Sequence, residues 1–420
     1  MRILVCGTNR MCHDRLRDEG HELVLFVPRG RAVREDAVGR YAHVVILDDS
    51  AGTDLWAEVA ESLHRRTPFA AVAAFNEHTY PVVRAISERL NIPTTVDLDL
   101  FKRVLDKAGM REVLDREAIP NCRYAFARGR QEVLGAIEKI GLPCIVKPVD
   151  TEASLGVSHI RTAEDTEAAL RRVGPYHLER GVVVEEFMDG EEYSVEGISV
   201  GNRHHLIAVT RKFTEPDTFV SRGHVVPAPL APDEHDTVTE FVTRVLDAFG
   251  FHDCPSHTEV MLTSRGPRII EMHNRVAGDA IMDLVRLSTG VDLYDLIARQ
   301  SIGEDISPLL PEEIVHERSA AVWYAAPSGP PAQTLLEVRG VEEVRDLPHI
   351  DTVTLLREPG SPQCTVTQNF DRSGYVIAVG DSPAQALTRA REATAKLRFV
   401  YTWSAPRPRR GAQAGGDEVR

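Results

Sequence analysis

The stretch that decides the fold reads Thr258-Glu-Val-Met-Leu-Thr-Ser-Arg-Gly-Pro-Arg-Ile-Ile-Glu271-Met-His-Asn-Arg275. Apolar residues alternate on both sides of its Ser-Arg-Gly-Pro turn, which predicts a β-hairpin. Glu259 and Glu271 are separated by an even number of positions, so both carboxylates can face each other on one side of a sheet. Two facing carboxylates repel unless a cation bridges them, and such oxygen ligands favour Mg²⁺ or Mn²⁺ shared with nucleotide phosphates. By itself the stretch fits an exposed hairpin with ordinary surface acids equally well.

Length and charge narrow the class of protein. A chain of 420 residues is long enough for about two to four domains with ample buried surface. The net charge of −14, from 49 basic and 63 acidic residues, argues against a nucleic-acid partner. The sequence has no apolar run long enough for a membrane helix and no signal-peptide pattern at Met1, so we expect a cytoplasmic enzyme without a membrane partner.

The cysteines and histidines give no sign of zinc or disulfide chemistry. The six cysteines include no CxxC pair, and the sixteen histidines show no HExxH spacing. We therefore expect neither a zinc site nor disulfide bonds.

The first part of the chain predicts a parallel α/β sheet. Short apolar runs alternate there with polar segments of helix length; the runs are Ile3–Cys6, Leu23–Val27, Val44–Leu47 and Ala70–Phe75. Gly7-Thr-Asn-Arg lacks the GxGxxG spacing and is only weak evidence for a dinucleotide. Glu77 follows a strand, where open α/β sheets bind ligands, although an exposed loop acid fits the sequence as well.

Two lysines precede a segment of small residues. The spacing of apolar residues predicts one helix over residues 97–118, and Lys107 lies inside it, where a solvated lysine is the ordinary case. Lys147 ends an apolar strand before Pro148, which directs its ammonium towards a cleft. The segment Thr151–Gly156, which contains Ser154, suits a mobile loop with amides free for phosphate oxygens, or a plain turn.

Residues 182–196 predict two strands joined by a connector, Glu185-Glu-Phe-Met-Asp-Gly-Glu-Glu192. The backbone of Phe187 and Met188 would be free at the connector and could pair with adenine as one strand pairs with another. The carboxylate of Glu192 could then accept ribose hydroxyls. A hairpin with acids facing solvent is the alternative.

The order of these parts resembles the ATP-grasp superfamily over residues 1 to about 305. Arg275-Val-Ala-Gly278-Asp279 and Arg222-Gly-His224 are similar to segments of its carboxylate–amine ligases of the L-amino-acid ligase group. The segment Gly374–Gly380, with Val322-Trp-Tyr before it, resembles the closing domain of that group.

The resemblance implies an α/β and α+β protein with the ATP-grasp fold, an N-terminal parallel-sheet domain and a small C-terminal α+β domain. The implied divisions are residues 1–96 (N-terminal α/β domain), 97–118 (connecting helix), 119–188 (small lid subdomain), 189–307 (large subdomain with the metal site), 308–403 (C-terminal domain) and 404–420 (disordered tail). Within the C-terminal part, Ser382-Pro-Ala-Gln385 is typical of a helix start. This domain would contact substrate or serve only as a buttress.

The resemblance also implies roles for single residues. Lys147 and Arg275 would act in catalysis. The implied nucleotide contacts are Lys107, Lys147, Ser154, Gly156, Glu185, Phe187, Met188 and Glu192. The implied metal ligands are Glu259 and Glu271. The implied substrate contacts are Glu77, His224, His273, Asn274, Arg275, Gly278 and Asp279.

One departure from the family pattern affects the metal site. Family members often have Glu-x-Asn-x-Arg, whereas His273 occupies the Asn position here and Asn274 follows it. Imidazole is a poor magnesium ligand. Either Glu271 and water complete the site, or Asn274 reaches it through a bulge, or His273 belongs to packing or to the substrate pocket.

The function implied is an ATP-dependent ligase that uses Mg²⁺ or Mn²⁺ to join an amino-acid carboxylate to an amine, through an acyl phosphate. Related families imply a homodimer. The alternatives are activation of bicarbonate or formate and a non-catalytic nucleotide-binding scaffold.

Overall fold

The computed structural model describes residues 1–31, 38–149, 151, 155–327, 329 and 333–403. These residues form one eight-stranded sheet, two four-stranded sheets and a two-stranded ribbon. No helix among them is both long and apolar enough to cross a membrane. The expected disordered tail, residues 404–420, lies outside the described part of the chain.

The N-terminal sheet is parallel, as the alternation of apolar runs predicted. Its strands are β1 (Arg2–Cys6), β2 (Glu22–Pro28), β3 (His43–Leu47) and β4 (Ala71–Ala74), and its helices are α1 (Arg10–Asp18), α2 (Thr53–Arg66) and α3 (Tyr80–Leu90). The strand order is β3-β2-β1-β4. The chain leaves β1 and β4 at the same edge, where the Asn76 side chain accepts hydrogen bonds from the Thr8 and Asn9 amides at 3.0 and 3.1 Å. This edge carries Glu77 to the central cleft.

The single helix predicted over residues 97–118 is wrong, because the chain forms two helices there. They are α4 (Leu98–Leu105) and α5 (Lys107–Arg116). Asp106 between them has an extended backbone, and its carboxylate accepts from the Ala108 amide at 3.1 Å. Aspartate competes with the backbone inside a helix and stabilises a helix start. Lys107 therefore opens the second helix and is buried, with 7% exposure.

A small antiparallel sheet forms the lid region. Its strands are β5 (Tyr124–Ala127), β6 (Cys144–Pro148), β7 (Ser158–Ile160) and β8 (Val182–Glu186), in the order β5-β8-β6-β7, and its helices are α6 (Gly129–Ile140) and α7 (Thr166–Arg180). Ile145 lies opposite Glu185 in the register of β6 and β8. Since side chains alternate along a strand, Lys147 and Glu185 share one face of this sheet.

The largest sheet is antiparallel and runs through the rest of the chain. Its strands in spatial order are β13 (Gly266–His273), β12 (Pro255–Thr263), β9 (Gly190–Val200), β10 (Arg203–Thr214), β11 (Ser221–Val226), β14 (Ser319–Ala325), β17 (Gly374–Gly380) and β16 (Ile350–Leu355). The remaining elements are α8 (Pro232–Phe249), α9 (Ile281–Thr289), α10 (Leu293–Ser301), β15 (Gln333–Arg339), α11 (Val341–Arg345), α12 (Pro383–Lys396) and β18 (Arg398–Trp403). The C-terminal strands thus extend the central sheet, because β14 pairs with β11.

The hairpin predicted around Glu259 and Glu271 consists of β12 and β13. Glu259 lies directly opposite Glu271 in their register, and a bulge follows between Glu259 and Val260. The same strand β12 pairs with β9 on its other side, which places Glu259 inside the sheet rather than at its edge. The two carboxylates therefore lie on one face of the sheet, where both are partly buried.

Candidate active site

A cleft of about 530 Å³ opens where the three sheets meet. Most of the residues singled out in the sequence line it, namely Glu77, Lys107, Lys147, Glu185, Phe187, Met188, Glu192, His224, Glu259, Glu271, Arg275, Gly278 and Asp279. Ser154 lies outside the described residues. Gly156, His273 and Asn274 are described but do not line the cleft.

Lys147 is held in the cleft by a buried ion pair. Its ammonium lies 2.8 Å from the Glu185 carboxylate, and the Arg111 guanidinium binds the same carboxylate at 2.8 Å. Burial disfavours the charged carboxylate, but Arg111 and Lys147 outweigh it and lower the pKa of Glu185 to about 2. Glu185, an implied nucleotide contact, lines the cleft, and its side chain anchors Lys147.

The connector after β8 leaves one backbone amide for a nucleotide base. The sequence left both the Phe187 and the Met188 amides free, but the Phe187 amide donates to the Pro143 carbonyl at 3.1 Å. The Met188 amide has no hydrogen-bond partner among the described residues. The Phe187 ring stacks on His159 with centroids 4.2 Å apart and planes 11° apart. The connector thus offers the amide of Met188 beside a fixed aromatic ring.

Lys107 connects α5 to the segment expected to cover the phosphates. Its ammonium donates to the Thr151 carbonyl at 2.8 Å. Gly156, at the other end of this segment, has a φ of +76°, and a Cβ added there would lie 2.9 Å from the Pro148 ring. Both the conformation and the contact require glycine. Gly156 therefore packs against Pro148 and does not line the cleft.

The facing carboxylates are neutralised by lysines. Lys212 is buried, lies 2.7 Å from the Glu192 carboxylate and also donates to Glu259. The two carboxylates outweigh the burial of Lys212 and raise its pKa. Lys107 lies 3.9 Å from Glu271 on the other side. The cation that two facing carboxylates require is thus supplied in part by the protein itself.

A buried histidine that also lines the cleft contacts Glu259. His257 lies 2.8 Å from Glu196 through Nδ1 and 3.3 Å from Glu259 through Nε2. Burial opposes protonation of His257, but the two carboxylates outweigh it and raise its pKa to about 9. His257 is therefore a second cation on Glu259, opposite Lys212.

His273 holds the same position behind Glu271. Its Nδ1 lies 3.0 Å from Glu77 and its Nε2 lies 3.2 Å from Glu271. Burial and the charge of Arg275 oppose protonation of His273, but the hydrogen bonds and the charge of Glu77 outweigh them and raise its pKa. The rings of His273 and His257 are nearly parallel, with centroids 5.9 Å apart. His273, assigned to the substrate site, is thus a support of Glu271 behind the cleft surface.

Arg275 is oriented by the N-terminal domain. Its Nε donates to Glu77 at 2.9 Å and its Nη1 donates to the Val276 carbonyl at 2.9 Å. Burial would raise the pKa of Glu77, but His273 and Arg275 together lower it to about 2. Glu77 therefore remains an anion that positions Arg275 in the cleft.

Asn274 is not available to the cleft. Its side chain lines a separate cavity of about 30 Å³ together with Tyr80 and Cys254. Its Oδ1 is buried without a hydrogen-bond partner in the described part of the chain. The bulge proposed to bring Asn274 to the metal is thus not formed, because Asn274 faces away from Glu271 on this strand end.

A further ion pair closes the far end of the cleft. Arg372 binds Asp279 through two hydrogen bonds of 3.0 and 2.5 Å, and its guanidinium lies 3.7 Å above the Tyr324 ring. Asp279 has a φ of +55°, which is unusual for a residue other than glycine. His224 lies 3.5 Å from Asp279, and burial lowers the pKa of His224, so its ring is neutral. Asp279, assigned to substrate, already has two protein partners.

The donor set at Glu259 and Glu271 fits a magnesium ion that is shared with phosphates. Mg²⁺ in nucleotide sites is commonly held by one or two carboxylates, with water and phosphate oxygens as the other ligands. No group of three or more candidate ligand side chains is present among the residues described. Two carboxylates suit a magnesium ion whose remaining ligands are water and phosphate oxygens. They do not suit a metal ion that is bound by protein side chains alone.

Sequence reasoning missed four charged residues of this region: Arg111, Lys212, His257 and Arg372. Arg111, Lys212 and Arg372 follow no motif, since lysine and arginine side chains are ordinarily solvated. His257 precedes Glu259 by two positions in the same strand, so period-two alternation placed it on the same face and could have found it.

Comparison with known proteins supports the sequence resemblance. Residues 140–283 match the model of the ATP-grasp domain, and residues 330–402 match that of the L-amino acid ligase C-terminal domain 2. The uncharacterized protein y4rH of Sinorhizobium fredii is 31% identical over 76% of this chain and 66% of its own length. Alanine–anticapsin ligase of Bacillus subtilis is 25% identical over 66% of this chain and 69% of its own. The chain thus spans about two thirds of the length of both relatives.

Two further similarities extend over nearly the whole chain. The formate-dependent phosphoribosylglycinamide formyltransferase of Burkholderia lata is 26% identical over 91% of this chain and 93% of its own. The crystal structure of an L-amino acid ligase from Bacillus licheniformis superposes with a TM-score of 0.83 at 21% identity, over 96% of this chain and 98% of the other. The last similarity establishes the fold.

The buried ion pair of Arg111 and Glu185 supports Lys147, and replacing Arg111 tests how much this pair contributes to stability. Arg111→Met should destabilise the protein by about 3 kcal/mol, because it leaves Glu185 buried with Lys147 as its only cationic partner. Denaturant unfolding followed by circular dichroism measures this. Arg116→Met, in an exposed ion pair on the same helix, should leave the midpoint nearly unchanged.

The difference in stability between the wild type and Arg111→Met should change with pH in one direction. The pKa of Glu185 is lowered to about 2 in the folded protein, so its pairing stabilises the fold fully above the ordinary glutamate pKa of about 4.5. The stability lost in Arg111→Met should therefore shrink as the pH falls from about 4.5 towards 2. A difference that stays constant over this range would contradict the ion pair.

Proposed function

Because this chain belongs to the ATP-grasp superfamily and resembles its L-amino-acid ligases, we propose that it joins an amino-acid carboxylate to an amine with ATP. The observation that carries the proposal is the convergence in one cleft of two facing carboxylates, Glu259 and Glu271, with the cations Lys147 and Arg275. The match of residues 330–402 to the L-amino acid ligase C-terminal domain favours an amino acid as the acid.

ATP binds between the lid sheet and the central sheet in this proposal. The Met188 amide donates to the adenine beside the Phe187 ring, and Glu192 accepts the ribose hydroxyls. Lys147, fixed by Glu185, and Lys107, at the start of α5, face the phosphates. A buried ammonium held by a packed stem acts on phosphate oxygens as a preorganised charge.

Glu259 and Glu271 would hold Mg²⁺, which neutralises phosphate charge when it is bound. The supports behind them keep both carboxylates ionised and oriented. His257 and Lys212 act on Glu259, whereas His273 acts on Glu271. Such supporting contacts typically change metal affinity by about 10-fold to 100-fold.

The first chemical step forms an acyl phosphate. A substrate carboxylate oxygen attacks the γ-phosphorus of ATP, the bond to the bridging oxygen breaks, and ADP leaves. Lys147 and Arg275 stabilise the charge that develops on the transferred group. Glu77 holds Arg275 in place through a 2.9 Å hydrogen bond.

The second step forms the amide. The amine attacks the carbonyl carbon of the acyl phosphate, phosphate leaves, and the nitrogen loses a proton. The oxyanion that forms needs donors, and Arg275 and the neutral ring of His224 line the same end of the cleft. The Nε2 of His224 lies 3.5 Å from Asp279, whereas Nδ1 has no hydrogen-bond partner within the described chain, so Nδ1 is the ring nitrogen that we assign to this role.

A second candidate function is the activation of formate or bicarbonate. The full-length similarity to a formate-dependent formyltransferase favours it. Incorporation of labelled formate or bicarbonate into product, with one ADP released for each label, would select this alternative over the ligase.

Removal of a metal ligand tests the carboxylate pair. Glu271→Gln should lower phosphate release by about 100-fold or more, because a neutral amide binds magnesium poorly. Loss of a residue that only supports a metal ligand already lowers metal affinity or activity by up to about 100-fold. A phosphate-release assay with ATP and amino acids measures this. The exposed Glu138→Gln on α6 is the matched control and should keep full activity. Full turnover by Glu271→Gln would contradict the assignment.

Hydroxylamine tests the intermediate. With ATP, an acid substrate and hydroxylamine in place of the amine, a hydroxamate should accumulate, because hydroxylamine traps acyl phosphates. Iron(III) complexation detects the hydroxamate, and chromatography should show ADP in equal amount. AMP and pyrophosphate as products would mean adenylation and would overturn the mechanism.

A further inference from the structure

The far end of the cleft is completed by a turn from the C-terminal segment. Asn369 and Phe370 line the cleft, although they lie almost 100 positions after Arg275 in the sequence. They belong to the single turn of 3₁₀-helix Asn369–Asp371, just before β17. The extension of the central sheet by β14 and β17 brings this turn beside β11.

The backbone of this turn is fixed by hydrogen bonds on several sides. The Arg372 Nε donates to the Asn369 carbonyl at 2.7 Å, and Arg357 donates to the Phe370 carbonyl at 2.9 Å. The Asn369 side chain accepts from the Ser221 amide at 2.9 Å, which ties the turn to β11. Asp371 caps the turn by accepting from the preceding backbone amides. The position of the turn is thus determined before any substrate binds.

The side chain of Phe370, by contrast, is exposed to solvent. It is 69% exposed, the largest exposed fraction among the large apolar side chains. A single exposed aromatic residue is ordinary on a protein surface. Here, however, the exposed ring lies on a rigid turn at the cleft, which is the arrangement of a preorganised binding contact.

The surroundings of Phe370 indicate the chemistry of the group that it contacts. Several apolar residues line the same cleft, namely Phe75, Phe219, Val276, Ala277 and Ile281. The acidic residues at this end are already paired, Glu77 with Arg275 and Asp279 with Arg372. Among the described residues of the lining, Arg31 at the N-terminal side is the one exposed lysine or arginine. An apolar group matches this end better than a charged one.

We propose that Phe370 is a specificity-determining residue that contacts the side chain of an amino-acid substrate and selects apolar side chains. Arg372 is the positioning residue that holds the turn and Asp279 against each other. This proposal rests on the proposed ligase function, whose amino-acid substrate it narrows to those with aliphatic or aromatic side chains.

The test compares substrate preference in Phe370→Ala and the wild type. Amide formation is measured with L-alanine, L-leucine, L-phenylalanine and L-glutamate offered in all pairs. Phe370→Ala should lower kcat/KM for leucine and phenylalanine by about tenfold or more relative to alanine, with the KM for ATP unchanged. Phe370→Leu should restore most of the preference because it keeps an apolar side chain.

Tyr176→Ala provides the matched control. Tyr176 is 62% exposed on α7 and does not line the cleft, so its removal should leave the substrate preference unchanged. An equal loss for alanine and leucine in Phe370→Ala, no change at all, or a wild-type preference for glutamate would each overturn the proposal.

A binding measurement separates this proposal from the ligase function. Calorimetric titration of wild type and Phe370→Ala with L-leucine and L-alanine in the presence of ADP requires no turnover. Weaker leucine binding by Phe370→Ala, with alanine binding unchanged, supports the proposal even if no amide forms. Absence of amide with every pair contradicts the proposed function alone, and equal leucine binding by both proteins contradicts the inference alone.

Discussion

Glu259 and Glu271 face each other across two hydrogen-bonded strands inside the molecule, and much of the surrounding structure compensates for that pairing. Two partly buried carboxylates that face each other would ordinarily take up a proton. Here Lys212 and His257 bind Glu259, whereas His273 and Lys107 approach Glu271. The sheet thus carries an anionic pair that stays ionised and is available to a divalent cation.

The compensating charges come from different parts of the fold. Lys212 lies on β10, two strands away from β12 in the central sheet, and Lys107 lies at the start of a helix. His273 reaches Glu77, which the N-terminal sheet presents at the end of β4. Since Lys212, Lys107 and Glu77 belong to elements outside the hairpin, the full set of charges around the pair is complete only when these elements are packed together.

Buried arginines position one carboxylate of the lid sheet and one carboxylate beside the C-terminal segment. Arg111 binds the Glu185 carboxylate, and the same carboxylate binds the Lys147 ammonium in the cleft. Arg372 holds Asp279 and the turn with Phe370 at the other end. Arginine suits both positions, because its planar guanidinium can bind a carboxylate and further acceptors or an aromatic ring simultaneously. The two arginines thereby fix charged groups that belong to distant parts of the cleft lining.

The sequence by itself determined the features that depend on local pattern. Alternation predicted the hairpin and the opposition of Glu259 and Glu271, apolar runs predicted the parallel N-terminal sheet, and the order of motifs indicated an ATP-grasp ligase. Only the tertiary structure decided which charges meet: Arg111 with Glu185, Lys212 with Glu259, Arg372 with Asp279, and Asn274 away from the cleft. The reason is that strand periodicity acts over neighbouring residues, whereas an ion pair joins residues that are distant in sequence, and nothing in the local pattern of a lysine or arginine distinguishes a solvated side chain from a buried one.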